Sequence, residues 1–129
     1  MKRFLLILLF SITSTTILLA QDGDDEGSDK IRNRMTEFIQ KRLDLTKEES
    51  AKFTPIFHRY FKEWRQTLKD NREKRDRLEL QHKVVELRLK YREEFRAAIG
   101  ERKGDRVFQQ QDIFIKELAE YRKNRRRRR

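Results

Sequence analysis

The sequence predicts an all-α protein of four helices, the second and third long, and three observations predict it. Apolar residues recur at helical spacing along almost the whole chain, no alternating strand pattern runs for more than a few residues, and no hairpin dipeptide interrupts it. One Pro and four Gly in 129 residues fit the same reading.

The first helix is placed by Ile31, Met35, Phe38, Ile39 and Leu43. Asp44-Leu45 breaks that pattern. Thr46-Lys47-Glu48-Glu49 then supplies a capping box, in which the Thr46 hydroxyl accepts from the Glu49 amide and the Glu49 carboxylate reaches back, so a second helix starts at Lys47. Its stripe of Phe53, Phe57, Tyr60, Trp64 and Leu68, widened by Ile56 and Phe61, is the densest aromatic cluster and the core by default. Pro55 removes one backbone donor inside it, and a kink is expected there. The stretch from Lys69 to Arg77 carries no apolar side chain, and Asp70-Asn71 reads as either a turn or a frayed helix end.

The third helix carries Leu80, Val84, Leu87, Tyr91, Phe95 and Ala98 at 4-3-4-4-3 spacing, with Leu78, Val85 and Leu89 as a second apolar edge. One face packs inside and the other is available for use. Gly100 and Gly104 bracket a C-cap and loop, and Asp105 is placed to cap the last helix. The seam of that helix is Val107, Gln111, Phe114, Leu118 and Tyr121, beside Phe108 and Ile115.

Both ends stand apart from this domain, which spans 30–124. Lys2 and Arg3 precede the apolar run Phe4 to Phe10, a Ser/Thr-rich stretch and Leu18-Leu19-Ala20, so residues 1–20 read as a secretory signal peptide. Residues 21–29, with five acids, Gly23, Gly27 and Ser28, read as a flexible acidic leader. Residues 125–129, all Arg, form a polybasic tail. The full chain carries a net charge of +11, and loss of the signal removes only Lys2 and Arg3 and no acid, so the remainder stays strongly basic. An exported chain meets no DNA or RNA, so the anions within reach are membrane phosphates, polyanionic glycolipid and acidic polypeptide.

Several classes are excluded. The chain is too short for a doubly wound sheet or a barrel enzyme, and without Cys it holds neither disulfide nor thiolate site. His58 and His82 fall in different helical segments, and no carboxylate pair stands clear of the salt-bridging surface, so neither a catalytic site, a metal site nor a cofactor is expected. Gly100 and Gly104 lack the strand before and the Lys-Ser/Thr after that a phosphate loop needs. Beyond the signal, Leu, Ile, Val and Phe are sparse in a chain that is 43% charged, so the core is thin and dimerisation would supplement it.

One arrangement suggests binding. Arg59, Lys62, Arg65, Lys69 and Arg72 follow one another at 3-3-4-3 spacing beside the aromatic stripe, with Phe61 at the border. Cationic heads next to apolar edges hold chains that expose both acidic and hydrophobic groups, without sequence specificity. The candidate contact set is these six residues with Val85 and Leu89 of the third helix.

The order of signal, amphipathic helix ending in Leu43-Asp44-Leu45-Thr46-Lys47-Glu48-Glu49, then Phe53-Thr54-Pro55-Ile56-Phe57 and a basic helical remainder resembles the small exported Spy and CpxP proteins. It is most similar to the branch described as sensors of extracytoplasmic-function (ECF-type) sigma factors. Leu45, Thr46 and Glu49 stand at the family's Leu-Thr-x-x-Gln positions, which brace the helix junction, with Glu49 for Gln. The second such motif is missing from the IGERKGDRVF stretch of residues 99–108. The resemblance implies a hairpin cradle forming an antiparallel dimer in the periplasm. It would bind unfolded or misfolded protein without ATP, or act as a sensor or modulator of the envelope stress response through a signalling protein. The alternative expectation is a peripheral membrane or anionic-glycolipid binder acting through Arg125, Arg126, Arg127, Arg128 and Arg129.

Overall fold

The computed structural model describes residues 22–129, with side chains from Glu26 onward. The expected signal peptide, 1–20, lies outside the described residues. Five helical elements follow in order: α1 Asp22–Arg42, α2 Lys47–Asn71, α3 Arg77–Ile99, the single turn α4 Glu101–Gly104, and α5 Val107–Arg127. Among the described residues there is no strand. The expected all-helical fold is therefore found, with four full helices and α2 packed along α3. The chain divides into two units after Ile31, and the second, Arg32–Arg129, holds the core.

Helix α1 starts at Asp22, so the stretch read as a flexible leader is helical. Acidic residues are favoured near a helix N-terminus, where unpaired N–H groups and the dipole attract negative charge. At its other end the Leu45 amide donates to the Gln40 carbonyl at 3.0 Å and the Asp44 amide to that of Lys41 at 3.2 Å, with Asp44 at φ 51°. This pair of bonds around a left-handed residue is a Schellman stop. The capping box follows directly: Thr46 Oγ1 accepts from the Glu49 amide at 3.1 Å, and Glu49 Oε1 accepts from the Thr46 amide at 3.0 Å.

No break appears at Pro55, since α2 is continuous from Lys47 to Asn71. Pro55 and Ala51, whose carbonyl loses its helical donor, are both exposed, which leaves that loss on the solvent side of the helix. The segment left open between helix and turn resolves as both: α2 runs through Asn71, a turn covers Arg72–Lys74, and Asp76 caps α3 by accepting from the Glu79 amide at 3.1 Å. Asn71 closes this hairpin, donating to the Thr67 carbonyl at 2.8 Å and accepting from Lys83 Nζ at 3.3 Å.

The core is an aromatic cluster where α2, α3 and α5 meet. Phe95 has Phe53 at 5.5 Å, Phe108 at 5.7 Å and Tyr60 at 6.2 Å between ring centroids, while Tyr60 meets Tyr91 edge-on at 5.5 Å and Phe108 at 5.2 Å. Met35, Ile39 and Leu43 add the buried face of α1, and Phe38 meets Phe114 of α5 at 5.5 Å. Edge-on and offset pairs are the arrangements that ring quadrupoles favour.

Two expectations about the α3–α5 connection change. Asp105 does not cap α5, whose N-cap is Arg106 with no side-chain bond; its carboxylate instead takes both Nε and Nη2 of Arg96, at 2.5 and 3.1 Å. A bidentate guanidinium offers that carboxylate more than a single amide does. Gly104 belongs to α4 rather than to an open loop, and a Cβ there would stand 2.7 Å from the Arg96 amide nitrogen. Gly100 caps α3 at φ 86° as expected.

Candidate interaction surfaces

The junction residues Leu45, Thr46 and Glu49 come together as expected, and a fourth joins them. Lys103 of α4 donates to Glu49 Oε1 at 2.7 Å and to the Asp44 carbonyl at 3.2 Å. The Glu49 carboxyl is held below its ordinary value, first by the Lys103 hydrogen bond and then by the Thr46 amide. Nothing local in the sequence marks Lys103, since its partner lies 54 residues earlier.

The cationic stripe of α2 is divided by its neighbours. Arg59 Nη2 lies 2.7 Å from Glu94 Oε2 of α3, and its guanidinium stands over Tyr91 at 5.9 Å. Arg65 is half-buried, and its Nε has no hydrogen-bond partner among the described residues. Lys62, Lys69 and Arg72 are exposed and have no ion pair among the described residues. Phe61 is not a surface residue: at 3% exposure it packs at a tilt against Phe57 and Trp64, because its position on the helix turns it toward the core. It belongs to the core and not to the expected contact set.

On α3 the second apolar edge is solvent-facing, with Leu78 78%, Val85 53% and Leu89 50% exposed. The seam between the two helices is defined by Tyr60 against Tyr91, Arg59 against Glu94 and Glu63 against Lys90. At roughly 100° per residue, Lys62 and Lys69 lie about 105–125° and Arg72 about 175° round α2 from the middle of that seam, and the three apolar residues about 145–175° round α3. The cationic and apolar sets thus both face away from the seam, each carried by its own helix.

Most acids near the core are engaged. Glu63 pairs with Lys90, Asp112 with Arg88 at 2.7 Å, and Asp105 with Arg96. Arg88 also donates to Gln111 Oε1 at 2.9 Å, which in turn accepts from the Tyr60 hydroxyl at 2.6 Å, so one buried network joins α2, α3 and α5. Burial pushes the Tyr91 hydroxyl up to about 12, assisted by its hydrogen bond to Glu63. The same bond is the main reason the Glu63 carboxyl is held low.

The polybasic segment is not a separate tail. Helix α5 continues through Arg127 with Arg128 as its C-cap, and every residue from Ala119 to Arg129 is exposed. Arg125, Arg126, Arg127, Arg128 and Arg129 have no ion pair among the described residues. Exposed His82 pairs with Glu86 at 2.9 Å, and no group of three His, Asp or Glu among the described residues is placed to hold a metal ion. Among them, too, no helix is long and apolar enough to cross a membrane. No family model, curated protein or solved structure matches the chain.

Proposed function

We propose that this chain is an exported interaction protein that holds unfolded or misfolded polypeptide without ATP, in the manner of the Spy and CpxP proteins it resembles. The observation that carries the reading is the separation of engaged from free groups. Glu63, Glu94, Asp105 and Asp112 are committed to cations of the fold, which leaves Lys62, Lys69 and Arg72 unpaired among the described residues on α2 and Leu78, Val85 and Leu89 exposed on α3. An extended chain with acidic and apolar stretches meets one surface by charge and the other by hydrophobic contact. Neither needs a fixed sequence.

Carrying the two sets on separate helices also bears on how a client is held. A long polypeptide spans both helices, whereas a short peptide meets one set at a time. Aggregation of a reduced model client, followed by light scattering without ATP, tests this. Near-stoichiometric suppression that weakens in salt and is lost when Lys62, Lys69 and Arg72 are all replaced by Glu supports the reading. No suppression by a helical, folded protein rejects it in favour of a signalling partner, for which pull-down from envelope extracts is the test.

A further inference from the structure

The geometry points to the arginine-bearing end of α5 as a docking element for an anionic membrane surface, independent of the two hairpin surfaces. Lys116, Arg122, Lys123 and Arg125 to Arg129 all lie in or just beyond one continuous helix, and from Ala119 onward every residue is exposed. At roughly 100° per residue these cations cover all sides of the helix rather than one face. The sequence shows the same charge, but not this helical shape.

That shape discriminates between anionic partners. From Ala119 to Arg129 the only large apolar side chain is Tyr121, 63% exposed, so there is no apolar face to lie in the acyl region and the contact is peripheral. Reading of a nucleic acid calls for a face that enters a groove with side chains aimed at base edges, or for aromatic platforms on which bases stack. A helix with cations on every side and one Tyr has neither. A charged plane asks for less. The five arginines rise about 6 Å along the axis, in a helix about 10–12 Å across, dimensions close to the ~8 Å screening length at physiological salt. Whichever side meets a plane of headgroup phosphates, most of the cluster feels it, so no particular roll of the helix is required.

The protein, purified as the cell processes it, is sedimented with vesicles of phosphatidylcholine alone or of phosphatidylcholine with phosphatidylglycerol as the minor component, at low and high salt. The expected result is binding to the anionic vesicles only, lost in high salt. Replacing Arg125 to Arg129 by Gln should weaken it about a hundredfold or more, since each basic residue near such a surface contributes roughly fivefold. Replacing the same five by Lys should keep it within a few fold, and replacing Lys62, Lys69 and Arg72 by Gln should leave it unchanged. Circular dichroism checks that each variant stays helical. Binding unaffected by the Arg-to-Gln change overturns the assignment. So does preferential capture by random duplex DNA, or by an acidic unfolded polypeptide, at equal anion concentration. Because the hairpin variant and the aggregation assay are separate, failure here leaves the polypeptide-holding reading to stand or fall alone.

Discussion

Lys103 and Glu49 are 54 residues apart in the chain and 2.7 Å apart in the fold, so that the single turn α4 fastens the junction between α1 and α2. The consequence is a sensitivity to acid. Glu49 and Glu63 lie below their ordinary 4.5, and Asp105 below 3.8, because Lys103, the Tyr91 hydroxyl and Arg96 respectively favour their charged forms. A carboxyl with a lowered folded-state value contributes stability that is fully present above its unfolded value and disappears as pH falls through the folded one. The urea midpoint is therefore expected to be insensitive to these groups above about pH 5 and to drop below about pH 4.5. Glu49→Gln, measured across the same range, should show a shallower drop. A midpoint that rises on acidification contradicts the assignment.

Phe61 and Leu89, alike in the sequence as candidate contacts, should separate in stability. Phe61→Ala empties a buried site against Phe57 and Trp64 and is expected to cost about 3–5 kcal/mol, a large part of what a domain of this size possesses. Leu89→Ala, half exposed, should stay within about 0.5 kcal/mol. Thermal melting of both distinguishes core from surface. Loss of client binding by a fully stable Leu89 variant then reports on the α3 edge.

This contrast marks what the sequence made legible. The elements were readable because their signals are local: the capping box at Thr46, the periodicity of Phe53, Phe57 and Tyr60, and the stop at Gly100 all lie within a few residues of what they control. The candidate site was readable only in part. Whether Phe61 turns inward, whether Arg59 is free, and whether Lys62 and Leu89 share a surface depend on how α3 sits against α2, through contacts such as Arg59 to Glu94, 35 residues apart. Asp105 shows the same limit, since a good local cap was outcompeted by Arg96 on another helix. The full extent of α1 and α5 has no local signal, because a run of charges suits an exposed helix as well as a loop.

Gly100 and Gly104 should both resist replacement, for different reasons. Gly100, at φ 86° and ψ 158°, occupies backbone space that is essentially restricted to glycine, with nothing within 4 Å of an added Cβ. Gly100→Ala is expected to cost about 1–3 kcal/mol through backbone strain alone. At Gly104 the obstacle is the Arg96 backbone at 2.7 Å, which cannot step aside as a flexible side chain would. Gly104→Ala should cost about 1–3 kcal/mol by lifting α4 from α3. Because α4 carries Lys103, this variant alone should also lose part of the acid sensitivity described for Glu49, which urea titrations at pH 7 and pH 4 would separate.

Asp44 should respond in the opposite direction. It holds the left-handed position of the Schellman stop at φ 51°, where a side chain is disfavoured and glycine is not. Its role in the junction is carried by its backbone: the amide bonds to the Lys41 carbonyl, and its own carbonyl accepts from Lys103 at 3.2 Å. Both survive removal of the side chain. Asp44→Gly is therefore expected to stabilise the fold by about 0.5–1 kcal/mol after the added freedom of the unfolded chain is counted, while Asp44→Val should destabilise it by at least about 1 kcal/mol. Arg75, at φ 52° in the turn before α3, provides an independent copy of the experiment, and Arg75→Gly should give a gain of the same sign. Unchanged or lower urea midpoints for both glycine variants would mean that the two side chains contribute interactions large enough to offset the strain at their backbone positions.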